Sequence, residues 1–152
     1  MKIGKTLVIF GLVIGTLCGA CIPDPPLTKP ESFKFDSPYS GETISADSII
    51  DCSGTYTLPE GKDLDDIYVW IILRDDFRNN YLQNPPVEFW PDGRWETKNI
   101  RIGSGITEIL AVQVNRAGHK AFQEKVLSSE WQAFLETPEG SEVLAKVEIT
   151  VP

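Results

Sequence analysis

Histidine and cysteine are scarce: 152 residues carry one histidine and three cysteines. Cys18 and Cys21 fall at the N-terminus, so Cys52 is alone in the body of the chain. A disulfide framework within the body is thereby excluded. A zinc site, which draws several ligands from His and Cys, is excluded as well. Acidic residues are missing from the first 20 positions, where Lys2 and Lys5 are the only charges. Beyond position 20 the count is 12 basic against 22 acidic residues, a net charge of −10. Such a polyanion is repelled by phosphate backbones, and no nucleic-acid partner is expected. It is equally repelled by anionic lipid, so any membrane attachment must come from the N-terminus and not from the domain surface. The length suits one globular domain.

Catalytic and cofactor motifs are also missing. His119, the sole candidate imidazole, lies between Gly118 and Lys120 with no nucleophile-elbow motif in the chain, and is expected to be an exposed residue at the start of a helix. Gly103-Ser104-Gly105 leads into an apparent strand and not a helix, so it reads as a turn rather than a phosphate loop. No catalytic residue and no cofactor is assigned. Carboxylates are plentiful: Glu60, Asp63, Asp65, Asp66, Asp75 and Asp76 fall around the ends of one predicted strand. Paired-acid hydrolysis would need two of them at a fixed separation. Asp63, Asp65 and Asp66 offer hard oxygen ligands and form a weak calcium candidate, although the run lacks the Asp-x-Asp-x-Asp-Gly pattern and fits a solvated turn better.

Long uncharged runs are confined to the N-terminus. Lys2 and Lys5 precede Leu7 to Leu17, eleven residues without a charge, which is the anatomy of a signal peptide over residues 1–20. The segment Leu17-Cys18-Gly19-Ala20-Cys21 resembles the lipobox of prokaryotic lipoproteins, and this resemblance implies lipidation of Cys21, a membrane anchor and a cell-envelope location with the domain outside the cytoplasm. Two alternatives stay open. Cleavage after Ala20 by an ordinary signal peptidase would release a soluble protein. Thr6 to Pro23, uncharged throughout, would be just long enough for an uncleaved anchor. Residues 21–32 contain Pro23, Pro25, Pro26 and Pro30 and read as an extended tether of roughly 30–40 Å.

From residue 33 to 152 the pattern is mainly that of short strands. Predicted strands are Phe33–Asp36, Ser48–Tyr56, Ile67–Arg74, Val87–Phe89, Arg94–Arg101, Glu108–Val114 and Val143–Val151. In the last, Val143, Ala145, Val147, Ile149 and Val151 alternate with Leu144, Lys146, Glu148 and Thr150, one face buried and one wet. Ile67 to Leu73 is apolar on both faces, as in a central strand covered by another element. Pro91-Asp92-Gly93 supplies a hairpin turn, across which Trp90 and Trp95 are placed to pair. Ala117 to Leu135 departs from this rhythm with helical spacing, and Ser128-Ser129, with Gln132 at capping-box distance from Ser129, marks a place where the helix can split. Alternation puts Ile50, Cys52 and Tyr56 on one face, making Cys52 a buried thiol.

Ser37-Pro38-Tyr39-Ser40-Gly41, then Ser53-Gly54-Thr55-Tyr56, Trp70 and Asp92-Gly93-Arg94-Trp95, are similar to segments of immunoglobulin-like modules on prokaryotic surfaces. The resemblance implies an immunoglobulin-like β-sandwich of about seven strands, with a helical insertion before the last strand lying across one end or edge. Aromatic and amide side chains concentrate between positions 77 and 95, so Phe77, Tyr81, Trp90 and Trp95 are the candidate binding surface. Of these, Tyr81 is expected to be the most exposed, and Trp90 and Trp95 also suit a sandwich core. The expected function is that of an envelope-anchored, non-enzymatic interaction or adhesion module for a protein or glycan. A carboxylate-based hydrolase or enzyme accessory domain, and a structural spacer, are the competing readings.

Overall fold

A computed structural model describes residues 27–65, 67–128 and 133–152. The predicted signal peptide, Cys21, Asp66, Ser129 and Gln132 lie outside the described residues. The chain runs β1 (Ser32–Ser37), β2 (Glu42–Thr43), β3 (Ile49–Thr57), β4 (Tyr68–Asp75), β5 (Asn80–Leu82), β6 (Glu88–Phe89), β7 (Arg94–Arg101), β8 (Ile106–Val114), α1 (Arg116–Leu127) and β9 (Glu142–Thr150). The protein is mainly β, with two sheets and one helix. One sheet has the order β1-β3-β7-β6 and the other β2-β9-β8-β4-β5. Their facing sides share one apolar core, the arrangement of a β-sandwich.

Seven of the nine strands are those the alternation predicts, within two residues at each end. The two unpredicted ones, β2 and β5, are too short to show a period. β2 exists because it pairs in parallel with β9, and β5 because it adds antiparallel to the edge of β4. Neither pairing is a local property of the sequence.

The core between the sheets is aromatic on one side. Trp95 stacks on Phe33 with centroids 4.7 Å apart and meets Phe35 edge-on at 5.0 Å. Its cross-strand partner on β3 is Gly54. Having no side chain there lets the indole lie over β3 and donate from Nε1 to the Lys34 carbonyl of β1 at 3.0 Å. Cys52 and Tyr56 are buried, as their alternation on β3 predicts, and Ile50 packs partly buried against the same core. Burial pushes the Cys52 thiol up to about 12, with a smaller contribution from the neighbouring Asp51 charge, as expected of a thiol packed as a small hydrophobe.

β4 is apolar on both faces, and each face is used. Val69, Ile71 and Leu73 enter the core between the sheets, whereas Trp70 and Ile72 point to the other side. There α1 lies over the outer face of β4 and β8, with Phe122 edge-on to Trp70 at 5.6 Å. The helix therefore covers a sheet face, not the end or edge expected from its position in the chain. Apolar residues on the outer side of β4 and β8 require such a cover, each fully buried large side chain contributing about 1.5–3 kcal/mol. Trp70 consequently packs under the helix and not between the sheets.

The helix ends at Ser128, the place where the sequence allows the helical stretch to split. Asn115 caps its start, accepting from the Gly118 amide at 2.8 Å, and Ser128 closes it through its amide to the Glu124 carbonyl. Helical pattern continues to Leu135, but Phe134 instead forms a two-way backbone bridge with Asn80 on the outer edge of β5. Phe134 still packs against Phe122, at 5.9 Å. Apolar spacing is satisfied by burial under the helix as well as by helix formation, so the pattern does not separate the two.

His119 is not the exposed helix-start residue expected. It is half-buried, stacked on Tyr68 at 4.2 Å, and its Nδ1 accepts the Trp70 indole N–H at 3.1 Å. Burial lowers its pKa, which suits an imidazole whose Nδ1 must stay unprotonated to accept.

Two register details also differ from simple alternation. Ala111 pairs with Ala145 and Val112 with Val143, so Leu144 is an extra residue. The bulge turns Leu144 onto the core and leaves Val143 exposed, reversing the predicted phase there, while Val147 and Ile149 keep it. At the Pro91-Asp92-Gly93 hairpin, Phe89 pairs with Trp95 and Trp90 sits opposite Arg94. A shift of one residue exchanges faces, which puts Phe89 against the core and leaves Trp90 partly exposed beside the Arg94 guanidinium.

Candidate functional site

The strand registers define two ends of the sandwich. At one end lie the starts of β1, β4 and β9, the hairpin at Asp92 and the last residues of β8. The chain enters there. Gln113, fully buried on β8, donates from Nε2 to the Thr28 carbonyl at 2.7 Å. Lys29 pairs with Glu142, Pro30 is buried, and the Glu31 amide donates to the Thr57 carbonyl at 2.8 Å. Residues 28–31, predicted as tether, are thus bonded to the domain.

At the opposite end the sandwich opens. β7 is paired with β3 along its length, but on its other side β6 covers only Trp95 and Glu96. Pro85 and Pro86 lack amide donors, so β6 cannot be extended backwards as a regular pairing strand. The chain crosses between the sheets there, held by Val87 N–H to the Val69 carbonyl and by Thr97 Oγ1 to the Pro85 carbonyl. The gap between β5 and the far half of β7 is a cleft of about 610 Å³. Leu73, Ile106 and Tyr81 contribute apolar surface, and Gln83, Asn84, Asn99, Ser104 and the Asp47–Arg101 pair supply polar groups. This volume lies within the usual range of small-ligand sites.

Local chemistry positions these groups. Asp75 closes the turn between β4 and β5. Its carboxylate accepts from the amides of Phe77 and Asn79 and the Asn79 side chain, each at 2.9 Å, and from the Tyr81 hydroxyl at 3.0 Å. Desolvation works against the charged form, yet the hydrogen bonds from Asn79, Tyr81 and Phe77 hold the Asp75 carboxyl below the ordinary range. The same bond raises the Tyr81 hydroxyl, helped by burial and the Asp75 charge. On the facing wall, β7 carries one extra residue opposite β3, and Asn99 takes φ 62° to accommodate it. Asp51 stabilises the bulge, accepting from the Asn99 amide at 3.0 Å. Asp47, also left-handed at φ 60°, holds its carboxylate 3.5 Å from Arg101 Nη2. Asn and Asp are the non-glycine residues that adopt this conformation most readily.

The four predicted binding residues do not form one patch. Tyr81 lines the cleft, but it is half-buried with its hydroxyl engaged, and so is not the most exposed of the four. Phe77 projects at the tip of the β4–β5 turn, 83% exposed. Trp90 lies at the opposite end, beside the hairpin, where Tyr56 donates to its carbonyl at 2.7 Å. Trp95 is 1% exposed and belongs to the core. Sequence proximity between 77 and 95 brought together residues that the crossing from one sheet to the other separates. Asp47, Asn99, Arg101 and Ser104 were missed because they come from another part of the chain. The pairing of β7 with β3 is what carries them to the site.

The carboxylates divide in the same way. Glu60, Asp63 and Asp65 precede β4, and Asp75 and Asp76 follow it, at the two ends of an eight-residue strand, about 25 Å apart. Asp63 Oδ1 accepts the Asp65 amide at 3.2 Å, and Asp66 lies outside the described residues. No three His, Cys, Asp or Glu side chains converge on a metal-sized site among the described residues. Asp92 and Glu108, like Asp75, have lowered pKa values. At Asp92 the cause is chiefly the hydrogen bond from Arg94. At Glu108 burial opposes and the Lys146 bond, with the Lys146, Arg74 and Arg78 charges, prevails. A general acid needs the opposite shift. No helix among the described residues is long and apolar enough to cross a membrane.

No family model matches the chain, and neither the curated proteins nor the solved structures contain a significant match.

Proposed function

We propose that this chain is an envelope lipoprotein, anchored through Cys21, whose immunoglobulin-like sandwich is a non-enzymatic interaction module with its binding site in the cleft. The observation that carries this reading is polarity along the long axis. The chain enters at the Thr28–Glu31 end, and the cleft opens at the other. A domain held from the first end presents the second away from the bilayer. Thr28 to Glu31 are bonded to the domain, so the end at which the chain enters is the end held toward the anchor.

The immunoglobulin-like assignment is supported by strand order. Four strands in the order first, third, seventh, sixth, facing a sheet built on the ninth, eighth and fourth, correspond to the A-B-E-D and G-F-C arrangement of that fold. On this correspondence Cys52 occupies the second strand without a cysteine partner, Trp95 and not Trp70 is the tryptophan between the sheets, and α1 is an insertion before the last strand.

Anchoring is tested by partitioning the full-length protein between detergent and aqueous phases. Wild type is expected in the detergent phase as a processed lipoprotein, and Cys21→Ala in the aqueous phase or unprocessed. Wild type that partitions into detergent with residues 1–20 still attached would establish the uncleaved anchor instead. Wild type in the aqueous phase would establish secretion.

A further inference from the structure

We infer that the cleft between β5 and β7 is a saccharide site, taking an uncharged, hydroxyl-rich ring rather than a peptide or an ion. This rests on the binding-module reading and names the ligand class for that same site.

Three features of the cleft converge on this ligand. The first is the balance of polar groups. Asn84 and Asn99 each combine a carbonyl acceptor with an amide donor, Ser104 has a hydroxyl that does both, and Gln83 contributes a carbonyl acceptor, its Nε2 donating to the Tyr81 and Leu82 carbonyls. Sugar hydroxyls also donate and accept, so such groups match them in either orientation. The second is charge. Asp47 and Arg101 are the ionised residues on the cleft wall, and they face each other at 3.5 Å. They neutralise one another and leave no net charge to select an anion or a cation, while the strongly negative remainder of the chain disfavours anionic ligands. The third is the apolar surface. Leu73 and Ile106 are nearly fully buried, exposing only small apolar areas at the cleft floor, and Tyr81 is held in place by Asp75. An aromatic ring beside aliphatic carbon receives the C–H face of a pyranose, with its hydroxyls turned to the rim.

A peptide is the natural competitor, because the uncovered half of β7 is a sheet edge to which a strand might add. The bulge argues against it. Asn99 at φ 62° interrupts the ladder in the middle of the uncovered stretch, and a bulge of this kind twists an edge away from regular pairing. What the bulge does supply is Asn99 at the cleft, its backbone amide tied to Asp51.

The probes are neutral oligosaccharides: tetramers of β-1,4-linked N-acetylglucosamine, of β-1,4-linked glucose and of α-linked mannose. They are titrated into full-length wild type in detergent micelles and followed by calorimetry and amide-resonance shifts. At least one is expected to bind with a Kd at or below about 1 mM and to shift Tyr81, Gln83, Asn99 and Ser104. Asn99→Asp preserves side-chain shape and tolerance of positive φ while replacing the amide donor with a charge. It is expected to weaken binding about tenfold or more at unchanged melting temperature. Arg101→Ala, which unbalances the pair, is expected to weaken it less. Absence of binding by all three tetramers overturns the inference, and so does binding that Asn99→Asp leaves intact. A mixed-sequence extended peptide titrated in parallel separates the two levels of the argument. Peptide shifts at these same residues without saccharide binding would retain the cleft as the binding site and reject its ligand class. Shifts confined to the Trp90 end would reject the cleft itself.

Discussion

Gly54→Ala gives the sharpest test of how the core is built. A Cβ at this position would lie 1.8 Å from the Lys34 carbonyl oxygen and 2.8 Å from Cε2 and Cζ2 of Trp95. The first contact is with backbone in a neighbouring strand, so no side-chain rotation relieves it. β1 must therefore separate from β3, and the indole, displaced as well, gives up its 3.0 Å bond to Lys34. Overpacking of a filled core costs about 1–3 kcal/mol, and an indole N–H buried without its acceptor costs about 1–3 kcal/mol more. The expected loss is about 2–6 kcal/mol. Against a total stability of about 5–15 kcal/mol, that lowers the denaturation midpoint severely or prevents folding. Gly103→Ala is the control, because a Cβ there meets nothing within 4 Å and φ is not in the left-handed region. Chemical denaturation followed by tryptophan fluorescence measures both. A loss below about 1 kcal/mol for Gly54→Ala, or equal losses for the two variants, would refute the placement of Trp95 over β3.

Further expectations concern the helix face, the turn and the thiol. His119 has its pKa lowered by burial, so its contribution to stability is complete above the unfolded value of about 6.5 and declines as pH falls through the folded value. Melting temperature measured downward from about pH 8 should fall in this window, and His119→Gln, which keeps an acceptor for Trp70 without titrating, should flatten that part of the profile. A profile identical in the two proteins would show that the Trp70–His119 bond does not govern it. Tyr81→Phe removes one of four donors from Asp75 and should cost about 0.5–1.5 kcal/mol, whereas Asp75→Ala, which strips the acceptor from the whole turn, should cost more in the same denaturation assay. Cys52, with its thiol pushed up to about 12, should resist alkylation in the native protein and react once denaturant is added; rapid native labelling would contradict its burial.

Strands and core were largely legible because they follow from periods that the sequence carries locally. Strand patterning located β1, β3, β4, β7, β8 and β9 to within two residues, and the two-sided apolar character of β4 announced that something would cover it. Pro91-Asp92-Gly93 announced its hairpin through turn chemistry, although Phe89 and not Trp90 is the residue that pairs with Trp95. Sequence periodicity cannot see a bulge, since one extra residue is invisible until the partner strand is known. Leu144 and Asn99 are both such cases.

The cleft belongs to the other category. Tyr81, Gln83 and Asn84 are near one another in the chain, but Asp47, Asn99, Arg101 and Ser104 reach them only because β3 and β7 pair and the two sheets then face each other. Long-range pairing also decided that Trp70 lies under α1, that His119 accepts its indole proton, and that Trp90 and Tyr81 stand at opposite ends. Composition and period determined that the chain is mainly β, strongly acidic and free of a disulfide framework in its body, because each is a sum or a repeat along the sequence. Which side chains meet across the sandwich is set by register and sheet order, and these depend on the burial of all the strands at once.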